Sequence, residues 1–150
     1  DKYAPADLHF NVSHSGELAL IAFAVGAEVG IDVEKLREVS YLEQIARKFF
    51  HPAEADEVLS APQDTRTTSF LRCWTGKEAV LKALGKGIVV DLTSFQVPLE
   101  TDVRGWIEHS ESLLRGPRCW LEQLCPCDDY VAAIALVERK YTVRTFTFDI

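Results

Sequence analysis

Three short stretches of this 150-residue chain carry residue types that can do chemistry together. In Val29-Gly30-Ile31-Asp32-Val33-Glu34 the two acidic residues stand two apart. On a strand that spacing turns both carboxylates to one side, where their repulsion is relieved by protonation, a basic partner or a cation. In the second stretch, Trp74 to Gly85, Lys77, Glu78 and Lys82 sit among the large apolar residues of a strongly helical segment. At 100° per residue Phe70, Trp74 and Leu81 fall within about 40° of one another, with Lys77 just to one side and Glu78 and Lys82 to the other. Ionisable groups that edge a core-facing stripe mark a site at the rim of the core. The third stretch, Asn11-Val12-Ser13-His14-Ser15-Gly16, offers a hydroxyl, an imidazole and exposed backbone N–H groups at the end of a strand, which suits capture of a phosphate.

Together these residues describe a metal-assisted phosphate site. Asp32, Glu34 and Glu78 supply three oxygen ligands of the kind Mg²⁺ takes, the remaining positions going to water and to substrate phosphate. Lys77 and Lys82 flank Glu78 and can hold the outer charges of a bound diphosphate. Plainer readings stand beside this one: an Asp-x-Glu on a strand is often a solvated face, and Lys-Glu-x-x-x-Lys on a helix is often a surface pair contributing about a few tenths of a kcal/mol. The adjacent Ser13 and His14 do not argue for nucleophilic hydrolysis, because neighbours on a turn rarely point at each other.

The elements that must position these residues are legible in outline. Leu8 to Val12 reads as a strand, Ser13 to Gly16 as a polar turn and Leu18 to Val25 as a buried strand, which makes a hairpin. Val29 to Glu34 alternates as a half-buried strand with a carboxylate face. A helix begins at Ser40, which can cap it with Glu43 in a capping box, and stops at His51-Pro52; Pro52 then opens a second helix through Leu59. A long helix runs from about Thr65 to Leu84, closed by Gly85 and Gly87. Ser94 to Leu99, Arg118 to Leu124, Tyr130 to Val137 and Thr142 to Phe148 read as further antiparallel strands, Tyr130 to Val137 as a central one, and Asp102 to Gly116 as a polar connection. The expected fold class is α+β, an antiparallel sheet packed against a long helix.

Composition narrows the function. A 47% hydrophobic chain of this length builds one domain with a real core. With 23 acidic and 16 basic residues, a net charge of −7, nothing favours nucleic acid or an anionic membrane as partner. No apolar run approaches the roughly 20 residues that span a bilayer, and Asp1 to Asp7 is not a secretory signal, so a cytoplasmic protein is expected. Cys73, Cys119, Cys125 and Cys127 are expected as reduced thiols; Cys125-Pro126-Cys127 with Cys119 and His109 fits no common zinc spacing. The chain has no methionine, including at position 1, which points to a fragment or a processed form.

In order and spacing, Asn-Val-Ser-His-Ser at 11–15, Gly-Ile-Asp-Val-Glu at 30–34 and Trp-Thr-Gly-Lys-Glu-Ala-Val-Leu-Lys-Ala-Leu-Gly at 74–85 resemble the 4′-phosphopantetheinyl transferases of the surfactin-synthetase-activating (Sfp) type. The resemblance spans at least residues 8–99; beyond residue 100 only the strand pattern is compatible. It implies a pseudo-twofold enzyme of two similar α+β halves with coenzyme A and Mg²⁺ in the cleft between them. This chain, residues 1–150, would be the C-terminal half, its N-terminal half missing. By resemblance Asp32, Glu34 and Glu78 hold the metal, His14 contacts the 3′-phosphate of the nucleotide, Lys82 contacts the diphosphate, and Lys2 matches a further coenzyme A contact.

The activity this implies is transfer of the phosphopantetheine arm of coenzyme A to a serine of an acyl or peptidyl carrier protein, releasing 3′,5′-ADP. Such carriers serve fatty-acid, polyketide or nonribosomal-peptide biosynthesis. Glu78, or a metal-bound water activated by it, would take the serine proton, and Lys82 and His14 would steady charge on the transferring and leaving groups. Phe49-Phe50 offers a docking patch for the carrier, although core packing is the preferred reading of that pair. Two alternatives remain: a non-catalytic half that binds or assembles and needs an N-terminal half or second copy, and a Mg²⁺-dependent phosphohydrolase.

Overall fold

The computed structural model describes residues 7–85, 91–101, 103–107 and 117–148. Lys2, Gly87 and His109 lie outside the described residues. The chain opens with a hairpin of β1 (Leu8–Ser15) and β2 (Leu18–Val25), followed by β3 (Val29–Lys35). Three helices come next, α1 (Leu42–Phe49), α2 (Pro52–Ser60) and α3 (Gln63–Leu84), then β4 (Arg104–Trp106), β5 (Cys119–Leu124) and β6 (Tyr130–Val137). The hairpin is a two-stranded sheet of its own, and the other strands form an antiparallel sheet in the order β3-β6-β5-β4.

The long helix lies across this second sheet. Buried Phe70, Leu71, Ala79, Val80 and Ala83 of α3 share one core with Leu121 of β5 and Val131, Ala133 and Ala135 of β6. The opposite face of the sheet, through Val29, Ile31, Ile134 and Leu136, packs on Ala22 and Ala24 of the hairpin. Close approach of α3 to β3 depends on Gly30: a Cβ there would run into the Ala79 carbonyl and the Ala83 nitrogen and come within 2.9 Å of Lys82 Cβ. Gly85, at φ 62°, closes the helix in the left-handed conformation that glycine adopts without strain.

Several local expectations are corrected. Ser13 to Ser15 continue β1, and the turn shrinks to Gly16-Glu17, because the Ser13–Leu20 and Ser15–Leu18 pairings extend the ladder. The carboxylate strand β3 is not half-buried: Val29 to Val33 are buried throughout, since α3 covers one face and the hairpin packs on the other. Helix α1 takes Tyr41 as its N-cap, without a side-chain cap, and the capping box instead belongs to His51 and Glu54 at α2. Ser94 to Leu99 is not a strand; Val97 N–H and the Phe95 and Pro98 carbonyls are held by side chains of Glu54, Lys77 and Gln123 in place of a ladder. Thr142 to Phe148 forms no strand, and β4 forms within the expected polar connection. Phe50 is buried against Phe70, and the Lys48 ammonium stands over the Phe49 ring, so this pair packs the core and its edge.

Candidate active site

Asp32 and Glu34 project from β3 toward α3, on the same side of the sheet as Ala133 and Val131, their register partners on β6. Glu78 and Lys82, one helical turn apart, come down from α3 onto that edge. The Lys82 ammonium donates to Asp32 Oδ1 at 2.7 Å and to the Ile31 carbonyl at 3.0 Å. The Asp32 side chain is 11% exposed and that of Lys82 29%, so the pair sits at a rim that water reaches.

The charges of the site push against one another. Burial raises the Asp32 carboxyl above its ordinary value, the Lys82 and Ser13 hydrogen bonds pull it back, and the Glu34 charge raises it again. Glu78 is raised first by burial, then by the Asp32 charge, with Glu34 adding and Lys82 opposing. Glu78 feels these neighbours through space, without a hydrogen bond among the causes. Three carboxylates thus crowd one place with a single lysine among them. Hard oxygen donors with unrelieved negative charge suit a Mg²⁺ ion in their chemistry. Among the described residues, no three His, Cys, Asp or Glu side chains are already drawn together into a metal cage.

The remaining sequence-derived residues divide by location. Ser13 is buried and committed: its hydroxyl accepts from Val33 N–H at 3.2 Å and donates to Asp32 Oδ1 at 3.0 Å. His14 is exposed, and because side chains alternate along a strand it lies on the outer face of the hairpin with Val12 and Phe10, away from the carboxylates. Lys77 corrects the expectation of a phosphate contact. It is 1% exposed, pairs with Glu54 at 2.7 Å, donates to the Leu92 and Phe95 carbonyls at 2.8 Å each, and lies over the Phe95 ring. All of its hydrogen-bonding capacity goes to holding α2, α3 and the 92–97 segment together.

Two participants escaped sequence reasoning. Asn11 Oδ1 accepts from Ile31 N–H at 3.0 Å, and Ser15 Oγ accepts from Lys35 N–H at 3.0 Å while donating to Glu34 Oε2 at 3.0 Å. Their signal was present in the period-2 spacing of Asn11, Ser13 and Ser15, which places all three on one face once the strand runs through to Ser15. The cysteines stand apart from the site. Cys73 and Cys119 are buried free thiols whose acidity burial suppresses, Cys119 being pushed up to about 12, and exposed Cys125 and Cys127 lie beyond the end of β5. No helix among the described residues is long and apolar enough to cross a membrane.

Comparison with known proteins bears on this geometry. Residues 28–135 match the family model of the 4′-phosphopantetheinyl transferase superfamily. The chain is 39% identical over 136 residues to the 4′-phosphopantetheinyl transferase HetI of Nostoc sp. (strain PCC 7120), covering 91% of this chain and 54% of that protein. Over 106 residues it is 39% identical to the 4′-phosphopantetheinyl transferase Sfp of Bacillus subtilis (strain 168), covering 71% of this chain and 46% of that one. The chain therefore spans about half the length of these relatives. In fold it is similar to the ACPS of Chronobacterium ammoniagenes, at 19% identity in both forms. The TM-score is 0.55 for the apo structure, with 75% of this chain and 96% of that chain covered, and 0.50 for the CoA complex, with 77% and 99% covered.

Proposed function

The chain belongs to the 4′-phosphopantetheinyl transferase superfamily, and from that premise we propose that it carries the catalytic edge of an enzyme that moves the phosphopantetheine arm of coenzyme A onto a serine of an acyl or peptidyl carrier protein. The observation that carries the proposal is the meeting of Asp32, Glu34, Glu78 and Lys82 at the rim between β3 and α3. The Sfp and HetI relatives support the reaction class, and the coenzyme A complex of the ACPS of like fold supports the choice of donor.

In this reading the serine oxygen forms a bond to the phosphorus that bears the pantetheine arm, and the bond from that phosphorus to the bridging diphosphate oxygen breaks, releasing 3′,5′-ADP. Glu78 accepts the serine proton as general base. Lys82 lends its ammonium to the diphosphate and steadies the charge that gathers on the leaving group. His14, on the outer face of the hairpin, is assigned to the 3′-phosphate. Asp32, Glu34 and Glu78 would hold Mg²⁺, which when bound supplies charge neutralisation for the phosphate oxygens. Lys77 receives no ligand role, and Lys2 keeps the one that the family resemblance gives it.

The test is a transfer assay on purified protein with coenzyme A, Mg²⁺ and a set of apo carriers, the product detected as a modified carrier serine by mass spectrometry. Transfer should occur, and Glu78→Gln should abolish it while the circular dichroism of the fold is kept. Full activity of that variant would refute the assignment of Glu78, and phosphate release without any carrier would favour a phosphohydrolase.

A second reading, a half that acts only with an N-terminal half or a second copy, is favoured by one observation. The outer face of the hairpin exposes Leu8, Phe10, Val12, Ile21, Phe23 and Val25, with Phe10 at 66% and Phe23 at 65% exposure. These residues form the cross-strand pairs Leu8–Val25, Phe10–Phe23 and Val12–Ile21, a continuous apolar surface that ends at His14. Titration calorimetry of the chain with Mg²⁺ and coenzyme A separates the two readings. Binding supports self-sufficiency, whereas no heat at high ligand, with rescue by the N-terminal half, supports the second.

A further inference from the structure

Strand β3 is an edge of its four-stranded sheet, so alternate N–H groups on its outer side have no strand to pair with. They are answered by side chains. Ile31, Val33 and Lys35 N–H donate respectively to Asn11 Oδ1, Ser13 Oγ and Ser15 Oγ, at 3.0, 3.2 and 3.0 Å. The acceptors are alternate residues on the inner face of β1, spaced as the donors are spaced on β3. Side chains of β1 thus replace the backbone of a further strand.

The two serines also act on the carboxylates. Each hydroxyl has one proton, and the backbone N–H that it accepts leaves that proton free to be donated. Ser13 gives it to Asp32 Oδ1 and Ser15 to Glu34 Oε2, each at 3.0 Å and each to the residue just before the amide it serves. The cations choose the same oxygens: Lys82 donates to Asp32 Oδ1 at 2.7 Å and Arg37 to Glu34 Oε2 at 3.3 Å. Among the described residues, Asp32 Oδ2 and Glu34 Oε1 take no hydrogen bond. Each carboxylate is held by one oxygen and presents the other.

We propose that Asn11, Ser13 and Ser15 are positioning residues, a side-chain ladder that fixes the β3 edge and turns one oxygen of Asp32 and one of Glu34 toward the ion that they share with Glu78. The role of the ladder in holding the edge stands on the hydrogen bonds alone, and its role toward the ion rests on the functional reading above. Polar groups that orient metal ligands typically change metal affinity by about 10–100-fold when removed. Ser15, at the end of β1, is the variant least exposed to a folding defect, and Ser13, buried, is the more demanding one.

The experiment compares Ser15→Ala and Ser13→Ala with Ser15→Thr and Ser13→Thr, which keep a hydroxyl. Amide hydrogen exchange at Lys35 and Val33 reads the ladder. Mn²⁺ binding followed by electron paramagnetic resonance in the presence of coenzyme A reads the aim of the carboxylates, as does the KM for Mg²⁺ against kcat in the transfer assay. In Ser15→Ala, Lys35 should lose protection, Mn²⁺ should bind on the order of tenfold more weakly, and KM for Mg²⁺ should rise more than kcat falls. The threonine variants should restore all three. Faster exchange with parental Mn²⁺ affinity and parental KM for Mg²⁺ would overturn the positioning role, as would unchanged exchange in both alanine variants. A parent protein that neither binds Mn²⁺ nor transfers would overturn the functional reading itself, an outcome recognised because the parent fails before any variant is compared.

Discussion

Two lysines of α3, five positions apart, each sit 2.7 Å from a carboxylate, and the two pairs could hardly differ more. Lys77 and Glu54 are 1% and 3% exposed, and every charge is answered: Lys77 by two carbonyls and a ring, Glu54 by the N–H groups of His51 and Val97. Lys82 and Asp32 are 29% and 11% exposed and share their surroundings with Glu34, paired with Arg37, and with Glu78, whose carboxylate burial and the Asp32 charge disfavour. The first pair is closed, and a ligand can neither reach it nor improve it. The second is open and carries excess negative charge, which is what a cation and a phosphate ester could use. Burial with complete satisfaction turns an ion pair into a fastener; partial burial with leftover charge turns one into a site.

The largest effect should come from cutting the closed pair. Glu54→Ala leaves the Lys77 ammonium in the core and two N–H groups unanswered, and should cost about 3–5 kcal/mol in chemical denaturation. A loss below about 1 kcal/mol would mean that Lys77 readily finds water, and the contrast between the pairs would fail. Gly30→Ala presses a methyl group into the backbone of α3 beside Lys82 and should destabilise by about 1–3 kcal/mol, with transfer reduced because helix and strand separate at the open pair. Unchanged melting and activity would show that α3 has room to move. Lys82→Met sharpens the comparison, because the open pair should matter little for stability, about 1 kcal/mol or less by thermal denaturation, while transfer falls well below that of the parent. A stability loss equal to that of Glu54→Ala would erase the distinction.

The smallest effect concerns pH. Glu78 holds its proton more tightly in the folded protein than in the unfolded chain. Well below the ordinary carboxylate range both states are protonated and the group contributes nothing. As pH rises from that range through the raised folded value, the unfolded chain gives up the proton first, so stability falls across that window. Glu78→Gln should flatten the fall, with a melting temperature at neutral pH equal to or above that of the parent. Parallel melting curves against pH for the two proteins would remove Glu78 from the crowded cluster.

Much of the fold could be read from local pattern. Leu18–Val25 and Tyr130–Val137 were delimited by their apolar runs, β3 by its alternation, and α2 by Pro52, because each signal lies within a few residues of what it specifies. Other segments misled. Ser94 to Leu99 is rich in strand formers, yet its polar backbone is held by Glu54, Lys77 and Gln123 from distant elements. Ser13 to Ser15 looked like a loop because polar residues cluster there; they extend a strand whose polar face turns inward to serve the edge of β3. The hairpin thereby presents its apolar residues outward, the reverse of what alternation alone would suggest.

The sequence by itself determined the helix that carries Lys77, Glu78 and Lys82, the strand that carries Asp32 and Glu34, and the family resemblance of the three motifs, since propensity, spacing and residue identity are properties of contiguous chain. Which lysine faces the carboxylates was decided only by tertiary structure. Both lie within a few residues on one helix, and their difference comes from what other elements bring: Glu54 and the 92–97 segment close over Lys77, while β3 meets Lys82 at an open rim. A charged side chain becomes a fastener or a working group according to how completely distant neighbours solvate it, and no local pattern encodes that sum.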